Sequence, residues 1–548
     1  MTLSLVPAPA RILAHEGSLE IGDGTHVVVE SNELTATARR FIDDVRIDTG
    51  IALELASPSD SGTPVVLALD TAELDSVAAA GGVRADGRSV ADAADERHGI
   101  SITPEGVRVW GATAEGVHRG LTSLRQLIAA VSRDRLAALP AAEILDGPRF
   151  AWRGLSFDVA RTFHGPETVR RVIDMCSLHK LNVLHLHLTD DQGWRIEVPT
   201  RPALTAIGGA GALGDRPGGY YTLAEMAELV EYAAARFVTL VPEIDMPGHT
   251  GAIFRAYPEL APADGRAGEV APGLAIGTLD PERPETWAFV EDVLDAVIPQ
   301  FPQSAYVHVG GDEAFGMADE AHAAFVERAV ALVRARGRRA LGWQETARAA
   351  IGADEIVQYW IDSRETSAMM DNEALKTMVP SELLPLIVET MAKAEHDVPR
   401  ALATGAKLLI SPTSRLYFDR PHAEDSADPA QEEMRARVGL PVYPPMSLRH
   451  GVEWDPVDDT PGVSSDDQIA GVEAAIWCET IANRDELEFM LLPRIGGLAE
   501  KSWARRTVTE WNDYAERIAA QATIWDARGW TWFAANTVDW AADEVTAR

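Results

Sequence analysis

The sequence predicts an α/β protein, a (β/α)8 TIM barrel preceded by a smaller α+β domain. Three observations predict it. Eight short apolar segments recur from residue 148 onward, with helical patterns between most of them, the alternation that builds a parallel barrel. Before Asp146-Gly147-Pro148 the pattern differs, mixing period-2 and period-3.6 stretches as α+β units do. Carboxylates and aromatics gather just after the apolar segments, where such a barrel builds its active site.

In the first unit, residues 1–147, Thr25–Glu30 and Pro64–Leu69 read as strands, with an amphipathic helix over Glu33–Thr49 between them. Gly99–Thr103 and Val107–Gly111 form a hairpin around Pro104-Glu105-Gly106, and a helix follows over Ala114–Val131. This unit has no clustered His or Cys and no Gly-rich loop, so a packing role is expected of it.

The barrel is expected over residues 148–504. Its strands are Gly154–Val159, Val183–Leu188, Phe237–Val241, Ala305–Val309, Arg339–Trp343, Glu355–Trp360, Lys407–Ser411 and Gly471–Trp477. Helical patterns cover Pro166–Lys180, Thr222–Arg236, Pro284–Ile298, Ala318–Gly337 and Asp485–Trp503. The link between the fifth and sixth strands is short, whereas the one after the seventh runs from Pro412 to Ala470. Insertions are therefore expected near 364–400 and 420–465. The tail, 505–548, reads as helical and carries Trp511, Trp525, Trp530, Trp532 and Trp540. Aromatics bury large areas, so the tail is expected to pack on the barrel or on a second copy in a homodimer; a sugar-binding surface is the sharper alternative.

Composition sets outer limits. With 46% hydrophobic and 24% charged residues, the 548-residue chain has ordinary globular composition. Two cysteines, Cys176 and Cys478, exclude a disulfide framework. The 49 basic residues against 84 acidic give a net charge of −35, which repels phosphate backbones and anionic lipid. Neither nucleic acid nor membrane is expected as a partner. No apolar run approaches the roughly 20 residues that span a bilayer. The N-terminus shows no basic region leading into an apolar one and no small-residue cleavage site, so a cytoplasmic protein is expected, or a secreted one if a leader has been trimmed away.

The residues after each strand carry the chemistry. They include Asp158 and Arg161 after the first, Asp190-Asp191 after the second, and Pro242-Glu243-Ile244-Asp245-Met246-Pro247-Gly248-His249 after the third. Gly310-Gly311-Asp312-Glu313 follows the fourth, and Trp343-Gln344-Glu345, Trp360, Tyr417-Phe418-Asp419 and Trp477-Cys478-Glu479 end the others. Aromatic faces with carboxylates suit a sugar ring, apolar on its CH faces and hydroxylated at its edge.

Asp312 and Glu313 are adjacent, and neighbouring residues leaving a strand point to opposite sides. They are therefore poorly placed as the acid and nucleophile of an ordinary glycosidase, which need about 5 Å or more between carboxyl groups across the scissile bond. A general acid beside a group that steers part of the substrate is another division, and the spacing does not choose. Asp190 and His249 could support such an acid. A metal-dependent amidohydrolase built on His185, His187, His249 and Asp312 is a rival reading, although histidines alternating in a strand are more often buried structural groups. A catalytically silent glycan-binding protein is a third.

The stretches Arg153–Arg161, Lys180–Arg195 and Pro242–His249, and above all His308-Val309-Gly310-Gly311-Asp312-Glu313, resemble the catalytic domain of family 20 glycoside hydrolases, the β-N-acetylhexosaminidases. The resemblance spans about residues 148–504 in the family's order, and the first 147 residues resemble its usual non-catalytic domain.

The resemblance implies an exo-acting enzyme that removes terminal N-acetylglucosamine or N-acetylgalactosamine from amino-sugar glycans or chitooligosaccharides. It implies retention through the substrate's own acetamido group, with no cofactor and no metal. Glu313 would be the general acid and base, Asp312 would hold the acetamido N–H, and Tyr417 would donate to the acetamido oxygen. Asp190 and His249 match the network behind the acid. Arg161, Asp419 and Glu479 match the groups that hold the sugar's hydroxyls. Trp343, Trp360 and Trp477 match the acetamide pocket and the floor under the ring.

Overall fold

The computed structural model describes residues 3–57, 64–90, 94–262, 268–271, 274–365, 372–381, 383–505 and 509–540. Parts of the expected insertion (366–371 and 382) and of the expected tail (506–508 and 541–548) lie outside the described residues.

The first unit is an eight-stranded sheet. Its strands are β1 (Arg11–Gly22), β2 (His26–Val29), β3 (Glu54–Ala56), β4 (Pro64–Leu69), β5 (His98–Thr103), β6 (Gly106–Gly111), the short β7 (Ser132–Arg133) and β8 (Leu136–Asp146). They lie in the order β1-β8-β5-β6-β4-β2-β3, with β7 paired to β8. The helices Thr35–Thr49 and Ala114–Val131 cover one face, packing Phe41, Val45, Val117, Leu121, Leu124 and Ile128 against Val27, Val65, Ile100 and Val109. The long strands β1 and β8 and the short β3 were not anticipated. Arg11–Ser18 is exposed along its whole length, so no alternation marks β1 as a strand.

Eight parallel strands close the barrel: β9 (Trp152–Asp158), β10 (Val183–His187), β11 (Thr239–Glu243), β14 (Tyr306–His308), β15 (Arg339–Trp343), β16 (Ile356–Tyr359), β17 (Lys407–Ile410) and β18 (Ile469–Ile476). A small hairpin, β12 (Gly268–Ala271) and β13 (Leu274–Ile276), stands after the third of them. The third strand begins and ends two residues later than the sequence suggests. Phe237 takes a left-handed conformation (φ 55°) in the turn leaving the preceding helix, and the strand continues through Pro242 to Glu243. Proline is rare inside a central strand because it has no N–H to give the ladder. The consequence is chemical: Glu243 sits inside the barrel, not on the rim.

Two other differences are local. The helix expected over Asp485–Trp503 is two helices, Arg484–Leu491 and Arg494–Trp503, divided at Pro493, whose ring and missing N–H do not fit a helix interior. The region after Asp362 carries the helices Glu373–Met378, Leu384–Ala394 and Asp397–Ala403.

The barrel is filled in layers. At its N-terminal mouth Trp152, Tyr306, Leu341, Ile356 and Leu409 meet Ala85 and Val83 of the first unit. The segment around Gly82 closes this mouth, with Val83 donating to the carbonyl of Ala470 and Ala305 donating to that of Ala85. Above that plug the interior turns polar, with Glu473, His185, Glu243, His308 and Gln358 all buried. Trp525, Trp530, Trp532 and Trp540 are buried in the main core, with Trp532 and Trp540 centred 4.6 Å apart, so these four rings fill volume and present no sugar-binding face.

Candidate active site

The C-terminal rim of the barrel brings together all eleven residues singled out in the sequence. Asp158 ends β9 and ties down the turn beyond it. Its Oδ1 accepts from the N–H groups of Ala160 and Arg161, and its Oδ2 from that of Cys478. This turn aims Arg161 inward. One of its Nη atoms is 2.8 Å from Oδ2 of Asp190, its Nε is 3.8 Å from Oε1 of Glu479, and the guanidinium lies over the Trp477 ring. Nε and Nη1 of Arg161 are buried with no hydrogen-bond partner. Both oxygens of Asp419 and Oε2 of Glu479 are in the same condition. Buried polar atoms are rarely left unpaired. Three such groups around one opening form a ready-made shell for hydroxyl groups.

The fourth strand ends in Gly310 and Gly311, at φ 69° and 100°. A Cβ on Gly310 would collide with the Asp245 carboxylate, and one on Gly311 would press within 2.5 Å of Thr346 Cγ2. These glycines let the chain fold tightly enough to bury Asp312 and turn Glu313 toward the opening. Glu313 itself takes a left-handed conformation (φ 44°), as does His249 (φ 52°). Such positions cost on the order of 1 kcal/mol or more for a non-glycine residue and cluster at functional sites.

His249 stands between the acids. Its Nε2 is 3.5 Å from Oε2 of Glu313 and 3.8 Å from Oδ2 of Asp312, and its Nδ1 is 3.3 Å from Oδ1 of Asp190. Burial opposes a charge on His249, but Asp190 and Asp245 hold its pKa well above the usual histidine value. Burial would raise the Asp190 carboxyl; Arg161 and His249 beside it hold it well below the usual range instead. Asp312 goes the other way. Burial first, then the neighbouring Asp245, push its pKa well up, and its Oδ1 has no partner.

The aromatic residues line one side. Trp343 donates its Nε1–H to Oε1 of Glu243 at 2.7 Å, and Trp360 donates to Oε2 of Glu345 at 3.0 Å. Tyr417 stacks nearly parallel to Trp360, with an interplanar angle of 8°, and meets Trp477 edge-on. Burial, then Tyr443 and Asp419, push the Tyr417 phenol up, so it remains a donor. Trp477 is partly exposed and packs against Trp343. Ile387 and Met391 of the helix Leu384–Ala394 pack behind Trp343, Trp360 and Tyr417, so the region after Asp362 backs this wall.

The residues of the amidohydrolase reading fall into separate groups. Among the described residues, His185, His187, His249 and Asp312 do not converge on one point. His185 groups with Glu243 and His308, His187 with Glu243 and Asp245, and His249 with Asp312 and Asp245. Both ring nitrogens of His187 already face carboxylates, at 2.7 Å (Glu243) and 2.8 Å (Asp190).

The structure adds residues to the site. Glu345 anchors Trp360 and has its Oε1 unpartnered, and burial raises its pKa to about 7. Asp245, also pushed up to about 7 by burial, holds the N–H of Gly311. Tyr443 comes from the long stretch after the seventh strand and meets Tyr417 edge-on at 5.9 Å. Glu345 and Asp245 stand at strand ends where a search for acids finds them, but nothing in the irregular stretch around Pro441-Val442-Tyr443 marks Tyr443.

Comparison with known proteins agrees with this architecture. The profile of the glycosyl hydrolase family 20 catalytic domain matches residues 150–506, and that of the same family's domain 2 matches residues 2–147. A β-N-acetylhexosaminidase of Cellulomonas fimi is 35% identical over 450 residues, covering 82% of each chain. The solved family 20 β-N-acetylhexosaminidase of Streptomyces coelicolor A3(2) superposes with a TM-score of 0.81 at 31% identity, covering 98% of this chain and 99% of that one. The Streptomyces plicatus N-acetyl-β-hexosaminidase solved with Thio-NAglucal gives 0.80 at 31% identity, covering 98% of both. No helix among the described residues is long and apolar enough to cross a membrane. With both of its units matched in order and its rim built of hydroxyl-seeking groups around an acid pair, the chain belongs to glycosyl hydrolase family 20 and is a glycoside hydrolase.

Proposed function

We propose that this protein is an exo-acting β-N-acetylhexosaminidase that releases terminal, non-reducing β-linked N-acetylglucosamine or N-acetylgalactosamine with retention. The observation that carries this reading is the adjacency of Asp312 and Glu313 in a pocket walled by Trp343, Trp360 and Tyr417. One acid reaches the opening, and the other is buried with a free oxygen. Adjacent residues are poorly placed to straddle a glycosidic bond as acid and nucleophile, but they can serve a reaction whose nucleophile is the substrate's own acetamido oxygen.

In this mechanism Glu313 gives its proton to the glycosidic oxygen as the bond to the anomeric carbon breaks. The acetamido oxygen attacks that carbon and forms an oxazolinium ion. Asp312 accepts the acetamido N–H and balances the positive charge that develops, while Tyr417 donates to the acetamido oxygen. Burial and the neighbouring Asp245 raise the Asp312 pKa; an N–H donor and a cation arriving beside it favour its ionised form. Glu313, now a carboxylate, takes a proton from water that attacks the anomeric carbon from the side the leaving group vacated. The configuration is restored, and the acid is reset. Arg161, Asp419 and Glu479 take the ring hydroxyls, and the partly exposed Trp477 takes the apolar ring face. Amino-sugar glycans and chitooligosaccharides are the substrates that fit.

The test compares release of nitrophenol from the β-N-acetylglucosaminide and the β-glucoside. Rapid cleavage of the first alone supports acetamido participation, and equal cleavage of both overturns it.

A further inference from the structure

The barrel interior holds a line of groups that acid–base catalysis at the rim does not itself require. It starts at Glu473, which accepts from Trp152 Nε1 (2.8 Å) and Gln358 (3.2 Å) and faces His185 Nδ1 at 2.9 Å. His185 Nε2 is 3.1 Å from Oε2 of Glu243. The same Oε2 is 2.7 Å from His187 Nδ1, and His187 Nε2 is 2.8 Å from Oδ2 of Asp190. Asp190 leads on to Arg161 and to His249, and His249 to Glu313. Carboxylates accept only, so both nitrogens of His187 donate and its ring is an imidazolium. Negative and positive groups thus alternate from the middle of the barrel to the rim.

Glu243 is the branch point. Its Oε2 lies 2.7 Å from His187 Nδ1 and 3.1 Å from His185 Nε2, and its Oε1 accepts from Trp343 Nε1 at 2.7 Å. We propose that Glu243 is a positioning residue that fixes two parts of the active site together: the Trp343 wall of the acetamide pocket, and, through His187 and Asp190, the His249–Glu313 pair. This rests on the function proposed above and assigns Glu243 and His187 tasks within it. One rigid carboxylate makes the acetamido group and the acid keep a common frame, which an intramolecular attack timed with proton transfer needs.

Other titratable groups also face Glu243. His308 Nδ1 lies 3.1 Å from Oε1 and 3.0 Å from the N–H of Gly310, and burial lowers the pKa of this ring while Glu243 opposes the shift. Asp245 lies on the same segment and Glu473 across the barrel beyond His185. Burial opposes charge on His187, yet Glu243 and Asp190 hold its pKa well above the ordinary value. Around His187 stand these two carboxylates and the edge of the Trp477 ring.

The test uses the full chain and the variants Glu243→Gln and Glu243→Asp, each shown to be folded by its thermal transition. Without the charge at 243, His187 loses one of two anions and titrates nearer its ordinary pKa of about 6.5. The ratio of parent to Gln-variant kcat/KM on the aryl β-N-acetylglucosaminide should then rise about tenfold between about pH 5.5 and about pH 8.5. The Asp variant keeps the charge and should keep the parent's pH profile. For the wall, the parent's preference for N-acetyl over N-propionyl substrate, expected to be about tenfold or more, should narrow at least about threefold in both variants. A ratio flat across pH, or an unchanged acyl preference, overturns the proposal, because a purely structural loss lowers activity evenly. If the Gln variant yields no folded protein, the Asp variant decides: parent acyl preference in it is again an overturning result. Failure of the function itself is distinguishable, since the parent would then cleave the β-glucoside as well.

Discussion

His249 places its Nε2 3.5 Å from Oε2 of Glu313 while its other nitrogen lies 3.3 Å from Oδ1 of the buried Asp190, so the proton donor at the opening stands beside a ring that a buried carboxylate faces. The pKa of the ring is held well above the ordinary histidine value because Asp190 and Asp245 outweigh its burial. A cation at that distance steadies the Glu313 carboxylate formed after proton donation, and it orients the same group when it returns as a base. Replacing His249 by Asn is expected to lower kcat/KM about 100-fold on chitobiose, the scale of a lost acid–base contribution. The loss should be much smaller on a dinitrophenyl glycoside, whose leaving group needs little protonation. Steady-state kinetics on the two substrates checks this, and equal losses on both would remove the acid from the explanation.

Glu313→Gln cannot donate a proton. Hydrolysis of chitobiose should fall by about 100- to 10,000-fold. Added azide should restore turnover of an activated aryl substrate by replacing the water that the variant no longer activates, giving a β-glycosyl azide. An α-linked azide product would contradict retention through the acetamido group.

Asp312→Asn keeps the shape of the buried acid and removes its charge. It should lower kcat more than it raises KM, because the charge it balances exists only as the oxazolinium forms. A drop of about 100-fold or more in kcat is expected, the scale of one lost electrostatic stabiliser. Affinity for an uncharged product such as N-acetylglucosamine should change far less, which calorimetry would read directly.

Much of this site could be read along the chain because most of its parts stand at or just beyond a strand end. A short apolar run places its last residues on the rim, and Asp312, Glu313, Trp343, Trp360, Tyr417, Asp419, Trp477 and Glu479 all follow such runs. What could not be read depended on where a strand stops. Glu243 follows a proline, which in one dimension reads as the beginning of a loop; only the register His187↔Glu243 in the closed sheet shows it to be interior. Tyr443 reaches the site from an irregular stretch with no period to extrapolate. In the first unit, β1 was hard to read because its first eight residues are exposed and only Leu19 and Ile21 at its end alternate into the core.

Glu345 gives a prediction about stability and pH. Burial first of all raises its pKa to about 7, above the 4.5 of an unperturbed glutamate. A group whose folded pKa is raised contributes its full stability below the unfolded value, and that contribution is lost as pH climbs through the folded one. Between about pH 4.5 and 7 the protein should therefore lose stability from this residue, by a few kcal/mol at most. Glu345→Gln removes the titration and can still accept from Trp360. Its thermal midpoint should match the parent's near pH 4.5 and exceed it at pH 8. A constant difference across that range would show that Glu345 is ionised throughout.

The joint between the two units rests on a buried charge cluster, and here the prediction is a large loss of stability. Glu96 faces three guanidinium groups: Arg84 at 2.9 Å, Arg119 of the helix Ala114–Val131 at 2.8 Å, and Arg153 of β9 through both of its Nη atoms. All four side chains are almost fully buried, and Arg119 also donates to the carbonyl of Phe237, at the entry to β11. Burial would raise the Glu96 carboxyl, but the three cations hold it far below the usual carboxylate range. Its contribution is thus present above about pH 4.5 and lost only as pH falls well below that value. Glu96→Gln leaves Arg84 and Arg119 with Glu115 and Asp86, which pair with Arg84, Arg88 and Arg119. Among the described residues, Arg153 is left without an anion. Breaking a buried network in this way costs about 3–5 kcal/mol. Because Arg153 belongs to the barrel and Arg119 to the first unit, the loss should appear as a separate, earlier unfolding step in denaturant. Kinetic constants measured well below that transition should be unchanged. Replacing Glu96 and Arg153 together by Gln and Met should recover part of the loss, since an uncharged pair leaves no stranded guanidinium. A single cooperative transition at the parent's midpoint in the Glu96→Gln variant would show that the cluster contributes no net stability to the joint.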